Sequence, residues 1–143
     1  MAAALPYLKI RVGQQWYGLP VALITAVVPL PHLADLPGAA DEVLGLLTLR
    51  EQVMPVLDAG QRFGLGPTRL TLAHLLVALR HEQQQMALLV DEVDEVVQVS
   101  PADLHPGGES PLVTGSVPQA DGLLLLLAAD SLFQPGAALP PPA

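Results

Sequence analysis

Residues 44–65 read LGLLTLREQVMPVLDAGQRFGL, and the pattern of this stretch decides the fold. Two apolar runs, 43–49 and 53–57, flank the polar triplet Arg50-Glu51-Gln52. A short apolar run, a tight polar turn and a second short run predict a β-hairpin. Neither run reaches the roughly 10–12 residues of a helix. Pro55 has no N–H to give to a central ladder, which predicts that its strand lies at an edge or a bulge. Asp58 to Gly64 then reads as a charged turn closed by glycine, with Arg62 four residues after Asp58 and placed to brace it as a local ion pair.

Working outward, residues 7–12 alternate, with Leu8, Ile10 and Val12 on one face and Lys9 and Arg11 on the other, the pattern of a half-buried strand. Gly13-Gln14 turns the chain and residues 15–19 return. Pro20 suits the first position of a helix, and residues 21–28 are expected to form a short one, ended by Pro29 and Pro31. Residues 29–42 read as a loop. Beyond the hairpin, strands are predicted over 71–80, 86–90 and 91–99, with a polar loop at 81–85. A turn at 100–104 and a Pro/Gly loop at 105–111 lead to a second hairpin, 112–117 and 123–127, and to a helical turn at 128–133. The tail 135–143 ends in three prolines and reads as disordered. Eight or nine short strands at close spacing predict an all-β fold with one or two short helices. Several of these strands are apolar throughout, so both faces need cover, as in two small barrels sharing one core. No long-range repeat is visible.

Further matches join the first stretch. Trp16-Tyr17-Gly18-Leu19, then LLVDEVDEV at 88–96, then Gly115 and DGLLLLL at 121–127 follow in order. Together they resemble the CheW-like family, the coupling proteins of bacterial chemotaxis arrays. The family pattern G-x-I-N-L-R-G-x-I-x-P-V-I-D-L-x-x-R-F-G-L is met by Gly45, Leu49, Arg50, Pro55, Val56, Asp58, Arg62, Phe63, Gly64 and Leu65. Thr48 stands in place of its Asn and Glu51 in place of its second Gly. The closing strand ends in Ala128 where the family has Asp, and residues 24–28 lack the charge of the family's V-x-E-I-x segment.

The resemblance implies one domain over 7–134, built as two SH3-like five-stranded barrels on a shared core. It implies a cytoplasmic, non-catalytic adaptor that needs no cofactor. Its implied partners are a chemoreceptor tip and the regulatory domain of a CheA-type histidine kinase. Thr48, Leu49, Arg50, Ile24, Ala26, Val27, Val90 and Val93 are the residues expected at protein contacts. Ile24 and Val27 together could form an apolar patch. A small-ligand-binding β-barrel or a degenerate enzyme subunit is the competing reading, and a large apolar pocket with converging polar groups would favour it.

The chemistry of the residues agrees with an adaptor. The chain of 143 residues carries six Lys and Arg against fourteen Asp and Glu, a formal charge of −8. All six cations precede residue 81, so the clustered cations that phosphate neutralisation requires are absent. No cysteine is present, which excludes disulfides and thiolate chemistry. Residues 1–6 show no basic flank of a targeting segment, and the aliphatic run 123–129 is far short of the roughly 20 residues of a membrane span. Asp91, Glu92, Asp94 and Glu95 lack the glycine-turned loop of a calcium site. His32, His74, His81 and His105 show no metal-ligand spacing, and His74 reads as a hydrogen-bonded residue of an apolar strand. No nucleophile elbow or phosphate loop occurs.

Overall fold

The computed structural model describes residues 4–71, 73–106 and 111–133. The proline-rich tail 135–143 and most of the Pro/Gly loop, 107–110, lie outside them. Among the described residues eleven strands are formed: β1 Leu5–Val12, β2 Gln15–Pro20, β3 Ile24–Pro29, β4 Val43–Leu49, β5 Gln52–Asp58, β6 Leu75–His81, β7 Gln84–Val90, β8 Glu92–Val99, β9 His105–Pro106, β10 Val113–Gln119 and β11 Gly122–Leu127. Two one-turn helices follow β5 and β11: α1 Ala59–Arg62 and α2 Ala129–Leu132. The strands form two sheets, ordered β8-β1-β2-β11-β10-β9 and β3-β6-β7-β5-β4.

Three of the expected boundaries are corrected. Residues 21–28 do not form a helix: a 3-10 turn at Val21–Leu23 gives way to β3, which pairs antiparallel with β6 from Ile24↔Leu79 to Pro29↔Leu75. Five of these eight residues are β-branched and lose side-chain freedom in a helix, whereas β6 has an edge to be paired. The strand expected from Thr71 begins only at Leu75, because Thr71 and His74 close a turn on each other, and it runs on through His81. His105 and Pro106, expected in a loop, pair with Ser116 and Gly115 as β9.

Pro55 sits in an interior strand, not at an edge, since β5 lies between β7 and β4. The parallel pairing of β5 with β7 begins at Val56, one residue after the proline, so the missing donor falls before that ladder starts.

Three apolar clusters explain the uninterrupted runs. Leu47, Met54, Val56, Leu76, Ala78, Ala87 and Leu89 fill the five-stranded sheet's barrel. Val99, Val117, Leu124 and Leu126 fill the six-stranded one. Between the sheets lies a larger cluster with Ile10, Leu19, Leu57, Val77, Leu79, Met86, Leu88 and Leu127. Successive residues of β6 and β7 therefore serve different clusters: Leu76 and Ala78 one, Val77 and Leu79 the other. Each Leu or Val among them, fully buried, is worth about 1.5–3 kcal/mol.

The solvent face expected for Lys9 is itself covered. Lys9 is 4% exposed, lies 4.5 Å over the Trp16 ring and holds both carboxylate oxygens of Asp121 at 3.1 and 2.8 Å. This hydrogen bond draws the Asp121 carboxyl below its usual range.

The two sheets carry an internal repeat that the sequence conceals. The hairpins β4–β5 and β10–β11 each have a register shift beside a glycine, Gly45 or Gly115. Each ends in a one-turn helix closed by Phe63 or Phe133. The second strand of each runs parallel to the second strand of another hairpin, β5 with β7 and β11 with β2. Corresponding residues stand 70 positions apart.

Candidate functional site

The edge strands β3 and β4 of the five-stranded sheet both pack on its apolar cluster, Ala26 and Val28 from one and Leu47 and Leu49 from the other, and the isolated bridge Ala34↔Leu46 helps cover the β4 side. The barrel so formed has a mouth at one end. Thr25 and Ala26 of β3, Leu49 of β4, Arg50 of the turn, Gln52 and Met54 of β5, Arg80 of β6 and Gln85 of β7 line an open groove there of about 190 Å³. Met54, 2% exposed, is both the groove's floor and part of the barrel core. Gln85 Nε2 donates to Gln52 Oε1 at 3.0 Å and ties β7 to β5 across the groove.

The turn that presents Arg50 is a two-residue connection between Leu49 and Gln52. Arg50 and Glu51 both have positive φ, 51° and 68°. Two-residue hairpin loops of this hand match strand twist but favour Asn and Gly. A side chain in this region costs roughly 1–2 kcal/mol. The turn thus keeps the positive φ that the glycine-to-Glu51 departure puts at issue, and carries the cost.

Arg50 and Arg80 are exposed, and among the described residues neither has an ion-pair partner. The cations Lys9, Arg11 and Arg62 do have one: Asp121 at 2.8 Å, Glu92 at 3.3 Å and Glu42 at 3.7 Å. The groove is therefore cationic on a chain of net charge −8. Its make-up, an apolar floor with two arginines and two amides at the rim, suits an anionic side chain of a protein.

Residues 6–136 match the family model of the CheW-like domain. The chain belongs to the CheW-like family. It is 28% identical over 96 residues to the chemotaxis protein CheW of Rhizobium meliloti (strain 1021), covering 67% of this chain and 62% of that protein, so it spans about three fifths of that relative's length. It is 23% identical over 135 residues to the chemotaxis protein CheW of Helicobacter pylori (strain ATCC 700392 / 26695), covering 91% of this chain and 82% of that one. The crystal structure of the scaffolding protein TtCheW from Thermoanaerobacter tengcongensis superposes with a TM-score of 0.81 at 21% identity, over 94% of this chain and 90% of that one. The two sheets are accordingly the two SH3-like barrels of the CheW fold; the two-residue β9 makes one of them six-stranded.

Within this CheW-like domain the expected contact residues divide. Leu49, Arg50 and Ala26 meet at the groove. Thr48 is exposed on β4, paired in register with Val53, and does not line it. Ile24 packs against the shared core while Val27 is 43% exposed, so the expected patch of these two is not formed; a strand separates what a helix would have joined. Val90 is 1% exposed and offers no side-chain surface, and Val93 packs on the shared core from β8. Gln52, Met54, Gln85, Arg80 and Thr25 complete the groove without having been expected there. Arg80 carried one sequence signal, a lone cation closing an apolar run just before a polar turn.

The expected Asp58–Arg62 pair is replaced by two separate devices. Asp58, 1% exposed, caps α1 by accepting from the Gly60 amide at 3.0 Å and takes the Thr68 amide at 2.7 Å. Arg62 turns inward toward Glu42 and α2. Burial pushes the Glu42 carboxyl up and the Arg62 guanidinium down, each partly restored by the other. His74 is buried and hydrogen-bonded, but in the turn ahead of β6 and not in the strand. Its Nδ1 accepts from the Thr71 amide at 3.0 Å, which leaves Nε2 to donate to Asp91 Oδ1 at 2.7 Å. Asp91 Oδ2 takes the Gly13 amide at 2.6 Å, so the acid belongs to a clamp between the sheets, while Asp94 and Glu95 stay exposed. Among the described residues no group of three or more His, Asp or Glu could hold a metal ion, and no helix is long and apolar enough to cross a membrane.

Proposed function

We propose that this chain is a cytoplasmic, non-catalytic adaptor of a chemosensory pathway, coupling a chemoreceptor-like protein to the regulatory domain of a CheA-type histidine kinase. The groove at the mouth of the five-stranded barrel receives the receptor tip. Strand ends of the other barrel meet the kinase. The observation that carries this reading is Arg50: on a family match along nearly the whole chain, it stands exposed, without an acidic partner among the described residues, on a strained turn over an apolar floor. Arginine in that setting is the residue type most enriched, with Trp and Tyr, where binding energy concentrates.

Signal passes through this chain as a change in how the kinase is held, with no bond made or broken on it. The groove of about 190 Å³ is smaller than the roughly 300–1,000 Å³ of small-molecule sites, which supports a macromolecular partner over a free ligand. The test is reconstitution: receptor-bearing vesicles, kinase and this chain are combined, and kinase autophosphorylation is followed. Receptor control of the kinase that requires this chain supports the adaptor. Control that is the same without it refutes the proposal.

A further inference from the structure

We propose that Arg80 is a second recognition residue of the groove, and that Arg50 and Arg80 together take one carboxylate side chain of the partner protein. The proposal rests on the adaptor reading and names what the groove binds.

Charge is the first support. With fourteen acids for six cations, an arginine should readily find an acid within its own chain. Among the described residues Arg50, Arg69 and Arg80 have not, and two of these three line the same groove. Acids are at hand: Glu51 and Glu82 sit one and two positions away along the chain, yet neither forms an ion pair with them. Arg80 Nε makes a long contact, 3.4 Å, to the Glu82 carbonyl, and its terminal nitrogens keep their donors for a partner.

Backbone strain is the second. The non-glycine residues with positive φ among those described are Arg50, Glu51 and Glu82, all in the two turns that rim this groove. The matching position in the β1–β2 turn is Gly13, with φ 63°, where no side chain is strained. Strain that clusters at one site in this way is a mark of binding surfaces.

The chemistry follows from geometry. A carboxylate accepts charge-assisted hydrogen bonds from two guanidinium groups at once. The apolar floor of Ala26, Leu49 and Met54 shields that pair from water and takes the carboxylate's aliphatic stem. The Gln52–Gln85 hydrogen bond fixes the rim between the two arginines' strands, so little ordering remains to be done on binding.

The test is calorimetric titration of wild type, Arg80→Ala, Arg80→Lys and Arg50→Glu with a recombinant coiled-coil fragment that carries the cytoplasmic tip of a chemoreceptor from the same cell. Arg80 is exposed, so the thermal midpoints should coincide. The expected result is about a tenfold loss of affinity for Arg80→Ala, a smaller loss for Arg80→Lys, and a flatter salt dependence. Alanine replacement of each acidic residue of the tip should then find one position at which Arg80→Ala costs nothing more. Wild-type affinity in Arg80→Ala, with binding lost in Arg50→Glu, overturns the two-arginine site and leaves the adaptor standing. A wild-type chain that binds neither this tip nor the kinase regulatory domain overturns both.

Discussion

Arg62 on α1 donates from Nη2 to the carbonyl of Ser131 on α2 at 2.6 Å. The same nitrogen reaches the Leu132 carbonyl at 3.2 Å. α1 and α2 are equivalent elements of the two halves, and one buried guanidinium binds them to each other. Its other neighbour, Glu42, is 3.7 Å away, and Arg62 Nε and Glu42 Oε2 make no hydrogen bond. Removing the guanidinium leaves Glu42 buried without a countercharge and two helix-end carbonyls without a donor. Arg62→Met should lower stability by about 3–5 kcal/mol, read as a fall in the denaturant midpoint.

Glu42 gives this pair a pH dependence of definite sign. Its carboxyl is pushed above the ordinary range by burial, with Arg62 pulling it partly back. A raised acid holds its proton more tightly in the folded chain than in the unfolded one. Its contribution therefore favours folding in full below the ordinary glutamate range and is lost as pH rises through the raised value. Wild type should gain stability relative to Glu42→Gln as pH falls from 7 toward 4. Denaturation of both proteins across that range checks it, and a difference that is flat or grows with pH contradicts it.

The strained turn offers a gain in stability. Glu51 sits at φ 68° with an exposed side chain, and Glu51→Gly should stabilise the protein by about 1 kcal/mol through relief of the left-handed conformation, offset in part by the greater freedom of glycine in the unfolded chain. Thermal unfolding measures it. An unchanged or lower midpoint would mean that the side chain stabilises the turn.

Gly45 should tolerate nothing larger. A Cβ there would lie 2.6 Å from the Ala34 carbonyl oxygen, which belongs to the chain that bridges to Leu46. Gly45→Ala should cost about 1–3 kcal/mol, the usual cost of overpacking, and denaturant titration reads it directly.

Much of this was legible from residue pattern. The hairpin of residues 43–57 was, because the tight polar triplet Arg50-Glu51-Gln52 between two short apolar runs admits few other structures, although Gln52 proves to belong to β5 and the connection has two residues. So was the double cover of the strands, because an uninterrupted apolar run such as 75–79 cannot face water on either side. The identity of β3 was not, since Pro20 and a short apolar run fit a helix start as well as a strand, and only the free edge of β6 decides between them. The partner of Arg62 was hidden for a related reason: Asp58 is four residues away in sequence, but a buried amide cluster claims it, and Glu42 arrives from across the fold. Arg50 was visible at the groove as a lone cation on a turn. Arg80 was not, because its closeness to Arg50 depends on two hairpins, from different parts of the chain, ending at one mouth. The repeat of the two hairpins was hard to see because few side chains are shared at the 70-residue offset: Val43 and Val113, Gly45 and Gly115, Leu57 and Leu127, Ala59 and Ala129, and Phe63 and Phe133 recur, and the other positions from 43 to 63 differ.

Arg50→Glu separates recognition from folding. Arg50 is exposed and makes no ion pair among the described residues, so the thermal midpoint should move little while binding of the receptor tip is abolished. A large fall in the midpoint would show that Arg50 holds the turn.

The most direct test of the adaptor is calorimetric titration of the purified chain with the isolated regulatory domain of a CheA-type kinase from the same cell. Saturable one-to-one binding in the micromolar range, about −8 kcal/mol, is expected. Absence of binding to any such domain would contradict it, and would mean that this CheW-like fold serves a different partner.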